Sequence, residues 1–397
     1  MASSDGADTI IVGAGLAGAG LAWHLAGQRR IVVERAAAPG AEASRDGVGM
    51  VRRLAEDPVE RALALRTSAW LRELPGEDWP APPVRQTGAV VAAAWDPTWL
   101  ADPVAHLRAR GVRVEALDDP GEAAPIARGA RLARAWWVPD ELLVDPPALL
   151  AGFVRGAVRT GADLRCGVQA LALLTEGDRV VGLRTDRGDL RADRVVLAAG
   201  AWTSALARTA GLERPLFPLR RSVLRAEVAP EAGAPWVWVD DAGLYARPTD
   251  AAWWVSSCDE AIDWPPGFPS RGSADGDALD RARTRIGALL PGLRGATLAA
   301  GWSGLRTFAP DRRPVLGPDP ERPGLWWLAG LGGSGVTCGA AAAAVVADWI
   351  RGDAPAWLPQ PLVSPARAMP RRWPIRPDGA VDGSSLVGGT LPSVKTA

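Results

Sequence analysis

The stretch Thr9-Ile-Ile-Val12 followed by Gly13-Ala-Gly-Leu-Ala-Gly18 decides the fold of this chain. The short apolar, β-branched run is typical of a buried parallel strand, and the residues that follow the glycines predict a helix through Ala26. In a turn between such elements, the first glycine permits the reversal of the chain and the second lets the backbone approach a pyrophosphate. The third lets the helix and the strand pack closely. The helix N-terminus favours the anion because its free N–H groups and its dipole point toward it.

An acidic residue follows at the end of the next predicted strand. Ile31-Val-Val33 has the composition of a buried strand, and Glu34 lies 21 residues after Gly13. A carboxylate at this distance accepts hydrogen bonds from the ribose hydroxyls of a bound dinucleotide. Three-glycine patterns arise often by chance in a chain with 45 glycines, but strand, helix and acid together predict dinucleotide binding. This block alone leaves NAD and FAD open.

Two later blocks favour FAD. Residues Val195–Trp202 and Trp327–Thr337 each run from a predicted strand into a glycine-rich turn, and the second continues into an Ala-rich helix over 340–350. A second helix N-terminus therefore points into the fold. An NAD enzyme has no need for this late loop. A flavoprotein can use it against the ribityl chain and the pyrimidine edge of the flavin, where negative charge builds on reduction.

The bulk composition excludes several classes of protein. The 397 residues, 48% of them hydrophobic, suffice for two or three domains. The formal net charge is 0, so nucleic acid is a poor candidate partner. Three widely spaced cysteines and two histidines predict neither a disulfide framework nor a metal site. We expect no membrane span, a cytoplasmic location and small-molecule partners.

Six blocks in this order resemble the D-amino acid oxidase superfamily, and most closely its glycine oxidase and sarcosine oxidase-like branch. The resemblance covers roughly residues 8–350. The match is specific at the level of the superfamily but not for the substrate. The blocks are Gly13-Ala-Gly-Leu-Ala-Gly18 with Glu34-Arg35, Ala43-Ser44 through Gly49-Met50, Val144-Asp145-Pro146, Val195 to Trp202, Gly304-Leu-Arg306 with Pro310-Asp311 and Pro314-Val-Leu-Gly317, and Ala329 to Thr337.

The resemblance implies an α/β fold, with a Rossmann-like FAD-binding domain and a second, mostly antiparallel-sheet substrate domain of α+β type. The FAD-binding domain is expected to comprise residues 1–80, 141–215 and 300–360, and the substrate domain residues 81–140 and 216–299. Residues 361–397 form a Pro/Gly-rich tail, of which we expect roughly the last 20 to 25 residues to be poorly ordered.

The resemblance also implies FAD without a covalent bond. Some relatives attach the flavin through a cysteine, and the matching position here is Gly304. Val168 would give backbone contacts to the adenine. The residues expected to bind the cofactor are Gly13, Gly15, Leu16, Ala17, Gly18, Glu34, Arg35, Ser44, Gly49, Met50, Val168, Gly200, Leu331, Gly332, Gly333, Ser334, Gly335, Val336 and Thr337.

The implied reaction is oxidation of the C–N bond of a small amino acid or secondary amine. The α-hydrogen leaves as hydride to flavin N5, and the imine gives an oxo acid or an aldehyde, so a clamp matters more than an acid–base pair. Arg306 matches the family's carboxylate-binding arginine, and a guanidinium can hold a carboxylate at two points. Tyr245, the single tyrosine, matches a donor to the same carboxylate. Arg53 matches an arginine that faces the substrate in the sarcosine oxidase branch.

The electron acceptor and two alternative functions stay open. Sarcosine oxidase-like relatives use a lysine to activate O₂, but the single lysine here, Lys395, lies in the tail, so O₂ or another acceptor can serve. A flavin monooxygenase is one alternative, although its usual late Gly-Asp-Ala motif is absent from Gly330-Leu-Gly-Gly-Ser-Gly335. A flavin-bearing subunit of a larger amine dehydrogenase is the other. The oligomeric state is not predicted.

Overall fold

The computed structural model describes residues 6–45, 47–263, 266–274 and 276–367. Helices and strands alternate in the first part of the chain, and strands dominate the middle. The strands are β1 (Ala7–Val12), β2 (Arg30–Glu34), β3 (Met50–Val51), β4 (Val84–Gln86), β5 (Ala89–Ala93), β6 (Glu115–Leu117), β7 (Arg134–Val138), β8 (Leu142–Val144), β9 (Asp163–Cys166), β10 (Ala170–Glu176), β11 (Arg179–Thr185), β12 (Gly188–Leu197), β13 (Phe217–Ala226), β14 (Trp236–Val239), β15 (Leu244–Pro248), β16 (Trp253–Ser256), β17 (Ala261–Ile262), β18 (Leu298–Phe308), β19 (Val315–Pro318) and β20 (Leu325–Ala329). The helices are α1 (Leu16–His24), α2 (Pro58–Leu71), α3 (Ala101–Arg108), α4 (Pro146–Arg159), α5 (Thr203–Arg208), α6 (Gly276–Leu289) and α7 (Gly335–Arg351).

The first sheet has a parallel centre. Strand β1 pairs in parallel with β2 on one side and with β12 on the other, while β2 pairs in parallel with β9 and β12 with β20. Its middle residues are buried on both faces, as the apolar run predicts; Ile10 and Ile11 are fully buried. Helices α1, α4 and α7 pack together beside this centre. The predicted Rossmann-like unit is confirmed.

Helix α4 illustrates how local sequence sets the position of an element. The side chain of Asp145 accepts a hydrogen bond from the N–H of Ala148 at 3.1 Å, and Pro146 occupies the first helical position. An acidic N-cap followed by proline is a favoured helix start, because the proline lacks an N–H that would otherwise be unsatisfied. The helix start predicted from Val144-Asp145-Pro146 is therefore present.

The second sheet is mostly antiparallel, as predicted. Its strand order is β17-β13-β16-β15-β14-β5-β7-β6, with β18 paired along β13, and β14 with β5 is its parallel pair. Residues on one face pack on helix α6. Residues on the other face, Tyr245 among them, form a buried cluster with Met50. A small third sheet has the strand order β3-β8-β4.

One segment expected in the FAD-binding domain pairs with the second sheet. Strand β18 pairs with β13, so residues 300–308 lie in the second sheet although they stand in the segment expected for the FAD-binding domain. The first residues of the expected tail are packed: Val363 is fully buried, and its carbonyl accepts a hydrogen bond from Leu316 at 2.8 Å. Residues 368–397 lie outside the described residues.

Candidate active site

A cavity of about 440 Å³ lies between the carboxyl ends of β1 and β2 and the face of the second sheet formed by β13 and β18. Open α/β sheets bind ligands at the carboxyl ends of their parallel strands. Most of the predicted site residues line this cavity: Gly13, Gly15, Leu16, Ala17, Glu34, Arg35, Ser44, Gly49, Met50, Val168, Gly200, Leu331, Gly332, Gly333, Gly335, Val336 and Arg306. The predicted residues that do not line it are Gly18, Ser334, Thr337, Tyr245 and Arg53.

The first glycine loop is shaped as the sequence predicts. Gly13 has a φ of 103°, and a Cβ there would stand 2.5 Å from the carbonyl oxygen of Ala198. A Cβ on Gly18 would overlap the carbonyl oxygen of Gly13, so Gly18 serves close packing behind the cavity. Helix α1 begins after Gly15 without a side-chain cap from that residue. The first turn of α1 lines the cavity with Leu16 and Ala17, and the N–H groups not used by Ser44 are available there to an anion.

Glu34 is held by backbone donors at the edge of the cavity. Its two carboxylate oxygens accept hydrogen bonds from the N–H groups of Ala14 and Ala36, both at 2.9 Å. A carboxylate has about four acceptor positions, so two remain for ligand hydroxyls. The N–H of Val168 donates to the carbonyl of Glu34 at 3.0 Å, which holds Val168 in the cavity wall beside Glu34.

Arg35 is clamped between two aromatic rings. Its guanidinium carbon lies 3.7 Å from the ring centroid of Trp202 and 3.5 Å from that of Phe268. Its Nη2 is buried without a hydrogen-bond partner in the described part of the chain, and burial lowers the pKa of the side chain. The unpaired donor beside the cavity is suited to an anionic or carbonyl group of a ligand.

Hydrogen bonds between distant loops hold the cavity walls. The hydroxyl of Ser44 accepts from the N–H of Leu16 at 2.9 Å, so it caps helix α1 from outside. The hydroxyl of Thr337 donates to the carbonyl of Met50 at 3.0 Å, and that of Ser334 donates to Glu60 at 2.8 Å. Ser334 therefore holds the late glycine loop against α2, and Thr337 holds the start of α7 against Met50; neither lines the cavity.

The late glycine loop meets the substrate side of the cavity. Gly332 has a φ of 56°, and a Cβ on Gly333 would lie 2.8 Å from Nη1 of Arg306. Helix α7 starts two residues later, and the side chain of its N-cap Ser334 does not cap it. The loop thus places a helix N-terminus and an arginine at the same end of the cavity, where both favour negative charge.

Arg306 and Tyr245 are in contact. Nη2 of Arg306 donates to the hydroxyl oxygen of Tyr245 at 3.4 Å, and Tyr245 is fully buried. The ring of Tyr245 stacks on that of Trp238, with centroids 5.2 Å apart and planes at 14°. Burial, and then the nearby Arg221, lower the pKa of Arg306. Its Nε and Nη1 have no hydrogen-bond partner among the described residues.

The structure does not bring Arg53 to the cavity. Its N–H and Nε both donate to the carboxylate of Glu141, at 2.9 and 3.3 Å, and Glu141 is fully buried. Burial raises the pKa of Glu141, so removing this arginine would strand a buried acid. The neighbouring Arg52 is also paired, with Glu60 at 3.1 Å and Asp240 at 2.6 Å. The structure therefore does not support the expectation that Arg53 faces a substrate.

Sequence reasoning missed several residues of the cavity wall. Arg221 and Trp302 line it from the second sheet, and Trp202 lines it beside Arg35. Arg221 shares the face of Arg306 through the pairing of β13 with β18, and this register is not visible in the sequence. No local pattern marks Phe268 as a partner of Arg35.

The described residues fit an FAD molecule. The cavity carries a carboxylate that can accept from hydroxyl groups, and a glycine-lined helix N-terminus suited to a pyrophosphate lies in its wall. A second helix N-terminus and the half-buried Arg306 also line it, where the flavin ring and a substrate would meet. Within the described part, no group of three or more His, Cys, Asp or Glu residues could hold a metal ion. None of the described helices is long and apolar enough to cross a membrane.

This combination of fold and site is that of the FAD-dependent oxidoreductases. The model of the family described as "DAO: FAD dependent oxidoreductase" matches residues 8–349, and the chain belongs to this family. FAD is accordingly its cofactor, and the chain is an FAD-dependent amino acid or amine oxidoreductase.

Its relatives include both oxidases and dehydrogenases. A glycine oxidase of Pseudomonas aeruginosa is 31% identical over 386 residues, which cover 90% of this chain and 98% of the relative. A D-amino acid dehydrogenase of Paramagnetospirillum magneticum is 34% identical over 225 residues, or 56% of this chain and 51% of the relative. The crystal structure of glycine oxidase from Geobacillus kaustophilus superposes with a TM-score of 0.78 at 25% identity, covering 92% of this chain and all of that one.

Proposed function

We propose that this protein oxidises the C–N bond of a small amino acid or secondary amine that carries a carboxylate, with FAD bound non-covalently. The observation that carries the proposal is the half-buried Arg306, which lines the cavity end where helix α7 begins and contacts the buried Tyr245 behind it. Nη2 of Arg306 uses one of its two hydrogens on Tyr245, so its other hydrogen can bind a carboxylate at two points together with the N–H of Nε or Nη1, which have no partner in the described part. Tyr245 adds a hydroxyl that can donate to the same group.

The residues of this chain bind and orient the substrate. The reaction does not require an acid–base pair from the protein. When bound, FAD supplies the acceptor for a hydride from the substrate carbon. Arg306 and Tyr245 fix the carboxylate and hence the position of the α-carbon, which is the main contribution that proximity can make. With FAD bound, the N–H groups at the start of α7 would stabilise negative charge that develops on the reduced flavin. Hydrolysis of the released imine then gives an oxo acid or an aldehyde.

The remaining cofactor assignments follow from the cavity. The predicted residues that line it are proposed to contact FAD, with Glu34 at the ribose and the loop Gly13–Gly18 at the pyrophosphate. A non-covalent flavin is consistent with Gly304 at the position where some relatives carry a cysteine. The electron acceptor can be O₂ or another molecule, and relatives named as oxidases and as dehydrogenases support either.

An anaerobic screen tests the proposal. The purified yellow protein is mixed without O₂ with glycine, sarcosine, proline and the D- and L-forms of common amino acids, and the flavin absorbance is followed. We expect bleaching with at least one amino acid and the release of its oxo acid or of an aldehyde. Carboxylate-free amines such as the decarboxylated analogues of the best substrate serve as controls. Bleaching by those amines at equal rates would overturn the carboxylate clamp, and bleaching by NAD(P)H alone would favour a monooxygenase.

A further inference from the structure

A second arginine faces the cavity next to Arg306. Arg221 lies on β13 directly opposite Gly304 of β18, and Arg306 is paired with Leu219. Residues two apart on a strand share a face of the sheet, so Arg221 and Arg306 are diagonal neighbours on the face that lines the cavity. The Cβ atoms of such neighbours are about 7–8 Å apart at most, within reach of long side chains.

No side chain of β18 stands between these two arginines. Gly304, opposite Arg221, has no side chain, and a Cβ placed there would meet nothing within 4 Å. Arg221, Gly304 and Arg306 all line the cavity. The two arginines therefore reach the same cavity without a side chain at position 304 to separate them.

Arg221 is oriented by partners that leave one donor group unused. Its Nε donates to the carbonyl of Asp259 at 2.7 Å, and its Nη2 to Glu260 at 2.8 Å. Its Nη1 has no hydrogen-bond partner among the described residues. The bonds from Nε and Nη2 therefore fix the orientation of the guanidinium, and Nη1 can still donate to a ligand.

The acidic groups around Arg221 already have other hydrogen-bond donors, so they do not occupy its unused Nη1. Glu260 is shared with Arg312, which binds both of its carboxylate oxygens, at 3.2 and 2.5 Å. The carboxylate oxygens of Asp259 both lie 3.0 Å from the N–H of Ser222. Burial raises the pKa of the adjacent Cys258 thiol, which keeps it neutral. Three guanidinium groups thus face two carboxylates that already have donors.

We propose that the substrate carries two carboxylates, one held by Arg306 with Tyr245 and the other by Arg221, so that the protein prefers dicarboxylic amino acids. The spacing suits a compound of the length of aspartate or glutamate, or an N-carboxymethyl amino acid. This inference rests on the proposed function for the identity of the reaction, but not for the presence of a two-point anion site. A charge-assisted hydrogen bond to the second carboxylate strengthens binding by about ten- to a hundredfold.

The first test measures binding without turnover. The oxidised FAD-loaded protein is titrated with malonate, succinate and glutarate and with their monomethyl esters, and the shift of the flavin absorbance gives each dissociation constant. The parent protein should bind its best dicarboxylate about ten- to a hundredfold more tightly than the matching ester. Arg221→Met should reduce this ratio to about threefold or less, and Arg221→Lys should retain part of it.

Arg225→Met is the matched control. Arg225 lies on the same strand, does not line the cavity and pairs with Glu227 at 3.2 Å on the exposed side. The control should keep the dicarboxylate preference of the parent. Equal binding of diacid and ester by the parent, or an unchanged preference in Arg221→Met, would overturn the inference. A loss of FAD affinity in Arg221→Met with the preference unchanged would assign Arg221 to the cofactor and would also overturn it.

A turnover comparison separates this inference from the proposed function. Anaerobic flavin reduction is measured with aspartate and glutamate and with asparagine and glutamine, in both enantiomers. Faster reduction by the diacids in the parent, lost in Arg221→Met, supports the two-carboxylate substrate. Reduction by amides or glycine at equal or higher rates overturns it and leaves the proposed function intact. Selective binding of diacids without reduction by any amino acid supports the anion site and counts against the proposed reaction.

Discussion

Replacing Arg306 by methionine removes the proposed carboxylate clamp while keeping most of the apolar stem. In the structure, Tyr245 takes one hydrogen of Nη2 of Arg306, and Nε and Nη1 have no partner among the described residues, so a carboxylate can accept two hydrogen bonds along one edge of the guanidinium, from Nη2 and one of the other two nitrogens. Hydrogen bonds that involve a charged group contribute about 1.5–3 kcal/mol each, so the loss amounts to about 3–6 kcal/mol. This corresponds to a fall in kcat/KM of about two to four powers of ten, since misplacing the α-carbon also slows hydride transfer.

Two further variants refine this prediction. Arg306→Lys should restore part of the rate, because an ammonium cannot make the planar two-point contact. Tyr245→Phe should cost about tenfold, because one neutral donor is lost while the ring keeps its stacking on Trp238. The present contact between Arg306 and Tyr245 is long, at 3.4 Å, so its loss alone adds little.

The assay is anaerobic stopped-flow reduction of the flavin, after the FAD content of each variant has been equalised. Arg225→Met, which changes an exposed arginine of the same sheet, should reduce at the parent rate. Reduction of Arg306→Met at the parent rate with the best carboxylate substrate would refute the clamp. A loss confined to FAD binding would instead make Arg306 a cofactor ligand.

Three other outcomes follow from the cofactor site and the core. Glu34→Gln should weaken FAD binding by about 1–3 kcal/mol, because an amide offers fewer acceptor positions than a carboxylate and cannot serve both the backbone donors of Ala14 and Ala36 and the ribose hydroxyls. An unchanged dissociation constant in a fluorescence titration would remove Glu34 from the site. Acid precipitation should release free FAD into the supernatant, and a yellow pellet would show a covalent link. Burial lowers the pKa of His24 to about 4, so the unfolded chain binds the proton more readily between pH 6.5 and 4 and stability falls as the pH falls through that window. The free energy of unfolding should drop by about 2 kcal/mol from pH 7.5 to pH 5 through this residue, and an equal drop in His24→Gln would contradict that origin.

The parts of the fold that rest on local rules could be predicted from the sequence. The loop Gly13–Gly18 needs glycines for its own turn and for packing against β12, so its residue types and spacing are visible without any partner. The start of α4 depends on Asp145 and Pro146 alone. The position of Glu34 follows from the length of one βαβ unit.

The parts of the fold and the site that rest on long-range pairing could not be predicted from the sequence. Arg53 lies beside Arg52, and successive residues of an extended chain point to opposite sides, so sequence alone does not tell which one faces a cavity. The partner that removes Arg53 from the site, Glu141, lies 88 positions away. Phe268 meets Arg35 through a loop of the other sheet, and Arg221 joins the site only through the register of β13 with β18.

The most direct test of the central claim is whether the bond from hydrogen to the nitrogen-bearing carbon breaks as the flavin is reduced. The best substrate from the anaerobic screen is prepared with deuterium at that carbon, and single-turnover reduction is compared with that of the unlabelled compound at saturation. We expect deuterium to slow the loss of flavin absorbance several-fold. We also expect one molecule of the imine-derived oxo compound for each reduced flavin. Equal rates for the two compounds, or reduction without such a product, would contradict oxidation of the C–N bond at this site.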